Sequence, residues 1–314
     1  MGTGVAMKAI RLAITEAHRL YGPLQEGNNA SYIPALAEVS PQLFGIVAAN
    51  AEGETAEVGD SQQVFAIESI SKVFTLANVL DEIGAEELRS KIGSNPTGES
   101  FSSVQALLLH GGRPLNPFVN AGAIATVSLV AAPSPQGRWE KIAATMEAFA
   151  GRRLEVLEDI YRSESETNQH NRAIAWLMES AHAMYSDPME STDVYTRQCS
   201  VGITCRDLAL MGATLAARGV NPITKRRAVR AENVPKILAE MAMNGLYDNT
   251  GGWAYDVGLP GKSGVGGGLL AVVPGRIAIA TFSPPLDRFG NSVRGQRAIR
   301  HVTEALRLNL LDPP

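Results

Sequence analysis

The sequence predicts an α/β chain of the α+β kind: an antiparallel sheet flanked by terminal helices, with an all-helical subdomain inserted between its strands. Three observations predict it. Strand-like segments stand near the two ends of the chain. The middle carries helical periodicity instead. Helices open and close the sequence. At 314 residues the chain is long enough for one sizeable core, and no linker, repeat or low-complexity stretch divides it. It reads as a single unit over 1–314, with a sheet half of about 1–75 joined by 255–314 and a helical half of about 76–254.

Taken in order, Lys8 to Tyr21 places Ala9, Ile10, Ala13, Ile14, Ala17 and Leu20 on one helical side, and Gly22-Pro23 ends it. Gly27-Asn28-Asn29 is a loop leading to Tyr32-Ile33-Pro34. Leu43 to Ala49 is strand-like, Glu52-Gly53 a turn, and Thr55 to Val58 a return strand. From Val64 the chain is extended, and then the period changes. Ile70, Val73, Phe74, Ala77 and Leu80 fall at helical spacing, so a helix starts near Ser69. Helices follow at Arg138 to Ala150, ended by Gly151, and at Gln169 to Tyr185. Another runs from the capping box Thr204-x-x-Asp207 to Arg218, and another covers Glu232 to Asn244. Val265 to Val273 and Arg276 to Ser283 flank Pro274-Gly275 and form a hairpin. A last helix runs from about Val293 to Leu310.

Composition removes several function classes. Net charge is −4, which argues against nucleic acid or an anionic membrane as the main partner. The one basic run, Lys225-Arg226-Arg227 with Arg230, reads as a solvated loop. No apolar run reaches membrane-spanning length, and Met1 to Ala17 lacks a signal-peptide core. Cys199 and Cys205 form no framework of pairs, which suits a reduced cytoplasm. The five histidines make no ligand pair at helical spacing, so no metal and no cofactor are expected.

The chemistry centres on Ser69-Ile70-Ser71-Lys72. Ser69 and Lys72 are three apart and share a helix face. A hydroxyl beside an amine is a nucleophile–base pair if the amine can be neutral. With 21 Ser and 7 Lys, chance alone supplies about half of one Ser-x-x-Lys, so the motif needs support. Its helix is apolar nearly all round, which buries Lys72. Lys262-Ser263-Gly264 gives the second part, late in the chain and on a strand. Ser-x-x-Lys followed by Lys-[Thr/Ser]-Gly is the signature pair of penicillin-binding proteins and class A β-lactamases. Their middle motif has no counterpart at a suitable place, since Tyr247-Asp248-Asn249 lies too close to Lys262.

Longer blocks narrow the resemblance. Glu68 to Lys72, Asn116 to Ile124, Glu164 to Ala175, Tyr195 to Ser200, Gly245 to Asp248 and Gly258 to Gly268 together resemble the serine-dependent glutaminase family. With Tyr32-Ile33-Pro34 and Asn291 to Gly295, they span nearly the whole chain. The resemblance implies a β-lactamase-like fold and hydrolysis of L-glutamine to L-glutamate and ammonia. It also implies a cytoplasmic homo-oligomer, a tetramer or a dimer. It places Ser69 as nucleophile and Lys72 as base, and makes Tyr32, Ser69, Asn120, Glu164, Asn171, Tyr195, Tyr247 and Val265 similar to the family's substrate contacts.

From the residues themselves, Lys262 is a candidate for the second cation that keeps Lys72 neutral. Tyr247 is either a proton relay to ammonia or a binding hydroxyl. The backbone N–H groups of Ser69 and Val265, at a helix start and a strand edge, are the candidate oxyanion hole. If the stretch from Glu164 is helical, Glu164 and Asn171 stack two turns apart, the first for an α-ammonium and the second for an α-carboxylate. Three other readings remain: a penicillin-binding or β-lactamase-like acylase, an inactive amino-acid-binding module, and an asparaginase.

Overall fold

The computed structural model describes residues 6–312, so the first five residues of the N-terminal stretch read above lie outside the described residues. Five strands form the main antiparallel sheet: β1 (Gly45–Asn50), β2 (Thr55–Gly59), β6 (Gly261–Ser263), β7 (Gly268–Val273) and β8 (Ile277–Phe282), in the order β2-β1-β8-β7-β6. The two ends of the chain meet where Val47 of β1 pairs with Ala280 of β8. Side chains alternate across the sheet. Ile46, Ala48, Leu269, Ala271, Ile277 and Ile279 pack with the terminal helices Met7–Tyr21 and Val293–Leu306 through Ile10, Ile14, Ile299 and Val302. Val47, Leu270, Val272, Ala278, Ala280 and Phe282 turn to the other side, into the larger core. There the helix Cys205–Ala216 lies against the sheet. Its N-terminus carries the expected capping box, with Thr204 Oγ1 accepting from the Asp207 N–H and Asp207 accepting from the Thr204 N–H.

A second, three-stranded sheet was not expected. It joins β3 (Phe65–Ala66), β5 (Val201–Ile203) and β4 (Glu155–Val156). Segments of two or three residues carry no period that a sequence reading can detect. The helical half is likewise richer than its periodicity showed, with added helices at Ala85–Ile92, Val104–Leu109, Asn120–Leu129, Glu158–Thr167 and Pro188–Cys199, and the sheet half gains a short one at Pro34–Ala37.

Four local expectations need correction. The chain leaves β3 into a 3₁₀ turn, Glu68–Ser71, and the α-helix begins only at Lys72 and ends at Ile83. Glu164 and Asn171 do not share one helix, because Glu158–Thr167 ends at Asn168 and a new helix, Gln169–Ser180, begins. The Asn168 side chain donates to Thr196 Oγ1 at 3.0 Å inside the core, which holds the chain in the break. The second helix also stops before Tyr185, with His182 left-handed at φ 52°. Val265 is not on a strand. Lys262 lies on its own edge strand, β6, and a glycine-rich turn separates it from β7. Among the described residues no helix is long and apolar enough to cross a membrane.

Candidate active site

Ser69 sits in the 3₁₀ turn and Lys72 opens the helix that follows. A 3₁₀ turn has three residues per turn, so the side chains at 69 and 72 stack more directly than in an α-helix. Both are buried, Ser69 with 6% and Lys72 with 2% of its surface exposed. Glu68, which opens the turn, has φ 52°, a conformation uncommon for a residue with a side chain.

The Lys72 ammonium donates to Phe118 O at 2.9 Å and to Asn120 Oδ1 at 2.8 Å. Asn120 Nδ2 donates in turn to Asn171 Oδ1 at 3.0 Å, and Tyr195 donates to Asn120 Oδ1 at 3.3 Å. This fixes the Asn171 amide by its oxygen and leaves its NH2 free to donate elsewhere. Lys72 thus joins Asn120, Asn171 and Tyr195 in one network, with its amine 5.7 Å from the Tyr195 ring centre.

The main sheet brings Lys262. It pairs with Leu270, so it points to the same face as Leu270, toward the helical half. Its amine donates to Ser263 O at 2.6 Å and lies 4.7 Å from the Tyr247 ring centre. Tyr247 starts a short 3₁₀ turn at φ 54° and donates to Ser263 O at 3.2 Å. The N–H groups of Ser69 and Val265 donate to no protein acceptor among the described residues, which leaves two backbone donors for an anion. Tyr32 is more than half exposed, yet its hydroxyl end is buried near Tyr247, Glu68 and Glu164, and that burial raises its phenol pKa. Tyr32, Phe101 and Val265 line an open cleft of about 610 Å³.

Burial governs the titrations. It lowers Lys72 from its ordinary 10.5 to about 8, while Cys199, Glu164 and Glu68 hold the amine up. It pushes Lys262 well below its ordinary value, and repulsion from Lys72 adds to this. Lys262 is therefore pushed toward the neutral form, and burial rather than a Lys262 charge depresses Lys72. Burial raises the Tyr247 phenol, with the nearby Ser69 hydroxyl acting the other way. It raises both Glu164 and Glu68, and repulsion from Glu164 adds to the rise at Glu68, while the Lys72 ammonium acts the other way on each. Glu68 and Cys199 belong to this cluster although the sequence reading passed over both. The usable signal was an acidic residue next to Ser69 in an otherwise apolar stretch.

The sequence model of the Glutaminase family matches residues 27–311. The chain belongs to the glutaminase family. It is 53% identical over 312 residues to the Glutaminase of Mycobacterium ulcerans, covering 99% of this chain and 98% of that one. With the Glutaminase of Brucella canis it shares 56% over 302 residues, covering 96% and 95% of the two chains. A solved structure described as probable glutaminase ybaS superposes with a TM-score of 0.97 at 51% identity, over 98% of this chain and all of that one. A second, of Mglu in its glutamate form, gives 0.90 at 38% identity, covering 95% of this glutaminase-family chain and 69% of that one.

Proposed function

We propose that this chain hydrolyses L-glutamine to L-glutamate and ammonia through a γ-glutamyl ester on Ser69, with Lys72 as general base. What supports the mechanism is the placing of Ser69 in the 3₁₀ turn that leads directly into a buried Lys72 whose pKa is brought to about 8. A base should titrate near its working pH. Neutral Lys72 takes the Ser69 proton as Oγ bonds to the γ-carbon of the amide. The resulting oxyanion is held by the free N–H groups of Ser69 and Val265. Tyr247 keeps its proton at neutral pH, so it acts as donor to the leaving nitrogen, and the C–N bond breaks to give ammonia. Lys72 returns its proton to Tyr247. Water then attacks the ester, Lys72 takes the water's proton and passes it to Ser69 Oγ as the ester C–O bond breaks, and glutamate is freed. Lys262, its amine seated on Ser263 O and over the Tyr247 ring, positions that ring.

Glu164 faces the α-ammonium, and the free NH2 of Asn171 with the Tyr32 hydroxyl faces the α-carboxylate, which the Tyr195 hydroxyl also meets once its proton turns from Asn120 Oδ1. Asn120 positions both Lys72 and Asn171. The enzyme works as a cytoplasmic homo-oligomer, a dimer or a tetramer, and sedimentation velocity reads that state directly. The function itself is tested by ammonia release from L-glutamine and L-asparagine, with β-lactam opening of nitrocefin read separately by its colour change. Wild type should act on glutamine foremost, and Ser69→Ala should lose at least about 10³ in kcat. A Ser69→Ala protein with a tenth of wild-type turnover removes the acyl-enzyme.

A further inference from the structure

Glu68 is a costly residue that the fold does not require. It is left-handed without being glycine, which a turn alone would have favoured. It is 2% exposed, and its Oε1 is buried with no hydrogen-bond partner. Glu164 Oε2 is buried and unpartnered in the same way. Ligand atoms of the two carboxyls and Cys199 Sγ all lie within 4.8 Å of one another. The Glu68 chain is pinned from behind, since a Cβ at Gly266 would stand 3.3 Å from its Cγ. Two buried carboxyl groups at this spacing do not both ionise without a cation between them.

The groups facing the pair are few. The helix from Lys72 supplies one ammonium, Pro188–Cys199 supplies the Tyr195 phenol and Cys199 thiol, the loop before Pro34 supplies Tyr32, and the Tyr247–Asn249 turn supplies Tyr247. Burial keeps the thiol and the three phenols protonated. One cation therefore faces two carboxyls whose free oxygens have no donor. An ammonium group with three N–H donors and a positive charge supplies what is missing.

We infer that Glu68 is a specificity-determining residue of the proposed glutamine site: with Glu164 it forms a carboxyl pair that holds one shared proton when the site is empty and exchanges it for the substrate's α-ammonium. This rests on the glutamine reading above. In the exchange, a carboxylic O–H bond breaks, the proton leaves to solvent, and N–H···O bonds from the ammonium replace it. No covalent bond to substrate forms at this step.

The test uses Ser69→Ala protein, which binds without turnover. Near pH 7, L-glutamine should release about one proton per chain, read from the difference in calorimetric heat between two buffers of different ionisation enthalpy. The C=O stretch of a protonated carboxyl group should vanish from the infrared difference spectrum at the same time. 4-Carbamoylbutanoate, the same molecule without the amino group, should leave that band in place. Adding Glu68→Gln should abolish the proton release and weaken glutamine binding by at least about tenfold. A structural role for Glu68 would leave the proton count unchanged. Zero proton release, an unchanged count in the Glu68→Gln protein, no glutamine binding to Ser69→Ala, or a divalent metal retained at one per chain each overturns the inference. If Glu68→Gln fails to fold, the infrared band in the Ser69→Ala protein still decides. Ammonia release by wild type separates the two readings: its absence removes the glutamine site itself, whereas its presence with no proton release removes only the pair.

Discussion

Lys72→Met measures what the buried amine does to both rate and stability. The Lys72 pKa falls from 10.5 in its ordinary setting to about 8 in the fold. At pH 7 this raises the neutral fraction by about 300-fold, to roughly a tenth of chains. The rate should therefore climb about tenfold per pH unit below 8 and level off above it. The same shift fixes the sign of the stability change. Between the two pKa values the unfolded chain binds the proton and the folded chain does not, so stability rises with pH in that window. Below about 8 both states are protonated and the folded chain bears the full cost, about 3 kcal/mol as an order of magnitude. Met carries no such group. Its own cost, the lost donors to Phe118 O and Asn120 Oδ1, does not change with pH. Urea unfolding of wild type and Lys72→Met should thus diverge by about 2 kcal/mol in favour of wild type between about pH 7 and pH 9.5. Loss of the Lys72 charge also raises Glu68 and Glu164 further, which acts in the same sense. A stability difference that is flat across this range, or a rate that falls as pH rises from 6 to 8, refutes Lys72 as a burial-tuned base.

Three further outcomes are expected. Lys72→Arg should be as inactive as Lys72→Met in an ammonia assay, because a guanidinium does not give up its proton; rescue by Arg would move the base elsewhere. Val265→Pro removes one oxyanion donor and should cost about 10²–10³ in kcat, whereas Val265→Ala keeps the N–H and stays active; equal damage from both would assign the effect to the side chain. Glu164→Gln should leave the melting temperature intact and lower kcat/KM for glutamine by several powers of ten, about 10³, with no matching loss for 4-carbamoylbutanoate, and wild-type kinetics would end its assignment to the ammonium.

The site was legible where chemistry sits on local sequence. Ser69 and Lys72 are three residues apart, and their stacking needs no tertiary knowledge. The alternation of the paired strands likewise gave the two faces of the main sheet. What was not legible depends on contacts between distant segments. Glycines at 266, 267 and 268 read as part of one strand from Val265, but Gly264 N–H bonds back to Gly268 O and closes a turn. The break at Asn168 has no Gly or Pro to announce it, and its cause, Thr196, lies 28 residues on. Asn120–Leu129 escaped because it is buried on nearly every side and shows no apolar face. The pairing of Glu68 with Glu164 was not legible, because Glu164 comes from a separate helix far along the chain.

The spacing of the proposed oxyanion donors is set by how closely two backbones can approach. Ser69 belongs to the turn leaving the small sheet, and Val265 to the turn between β6 and β7 of the large one. No hydrogen bond of either N–H holds them in register. Contact does so instead. A Cβ at Gly264 would stand 2.8 Å from Ile67 O, and one at Gly266 would stand 2.6 Å from Ala66 O. The residues on either side of Val265 therefore lack side chains because the β6–β7 turn lies directly on the segment that delivers Ser69. Val265 between them keeps a side chain, packed with Tyr247, Ala66 and Leu286. The alternation Gly-Val-Gly thus presses one backbone onto another while leaving one residue to anchor it. The proposed nucleophile, base and first donor come from a single stretch, and the proposed second donor is supplied only when the large sheet is docked against it.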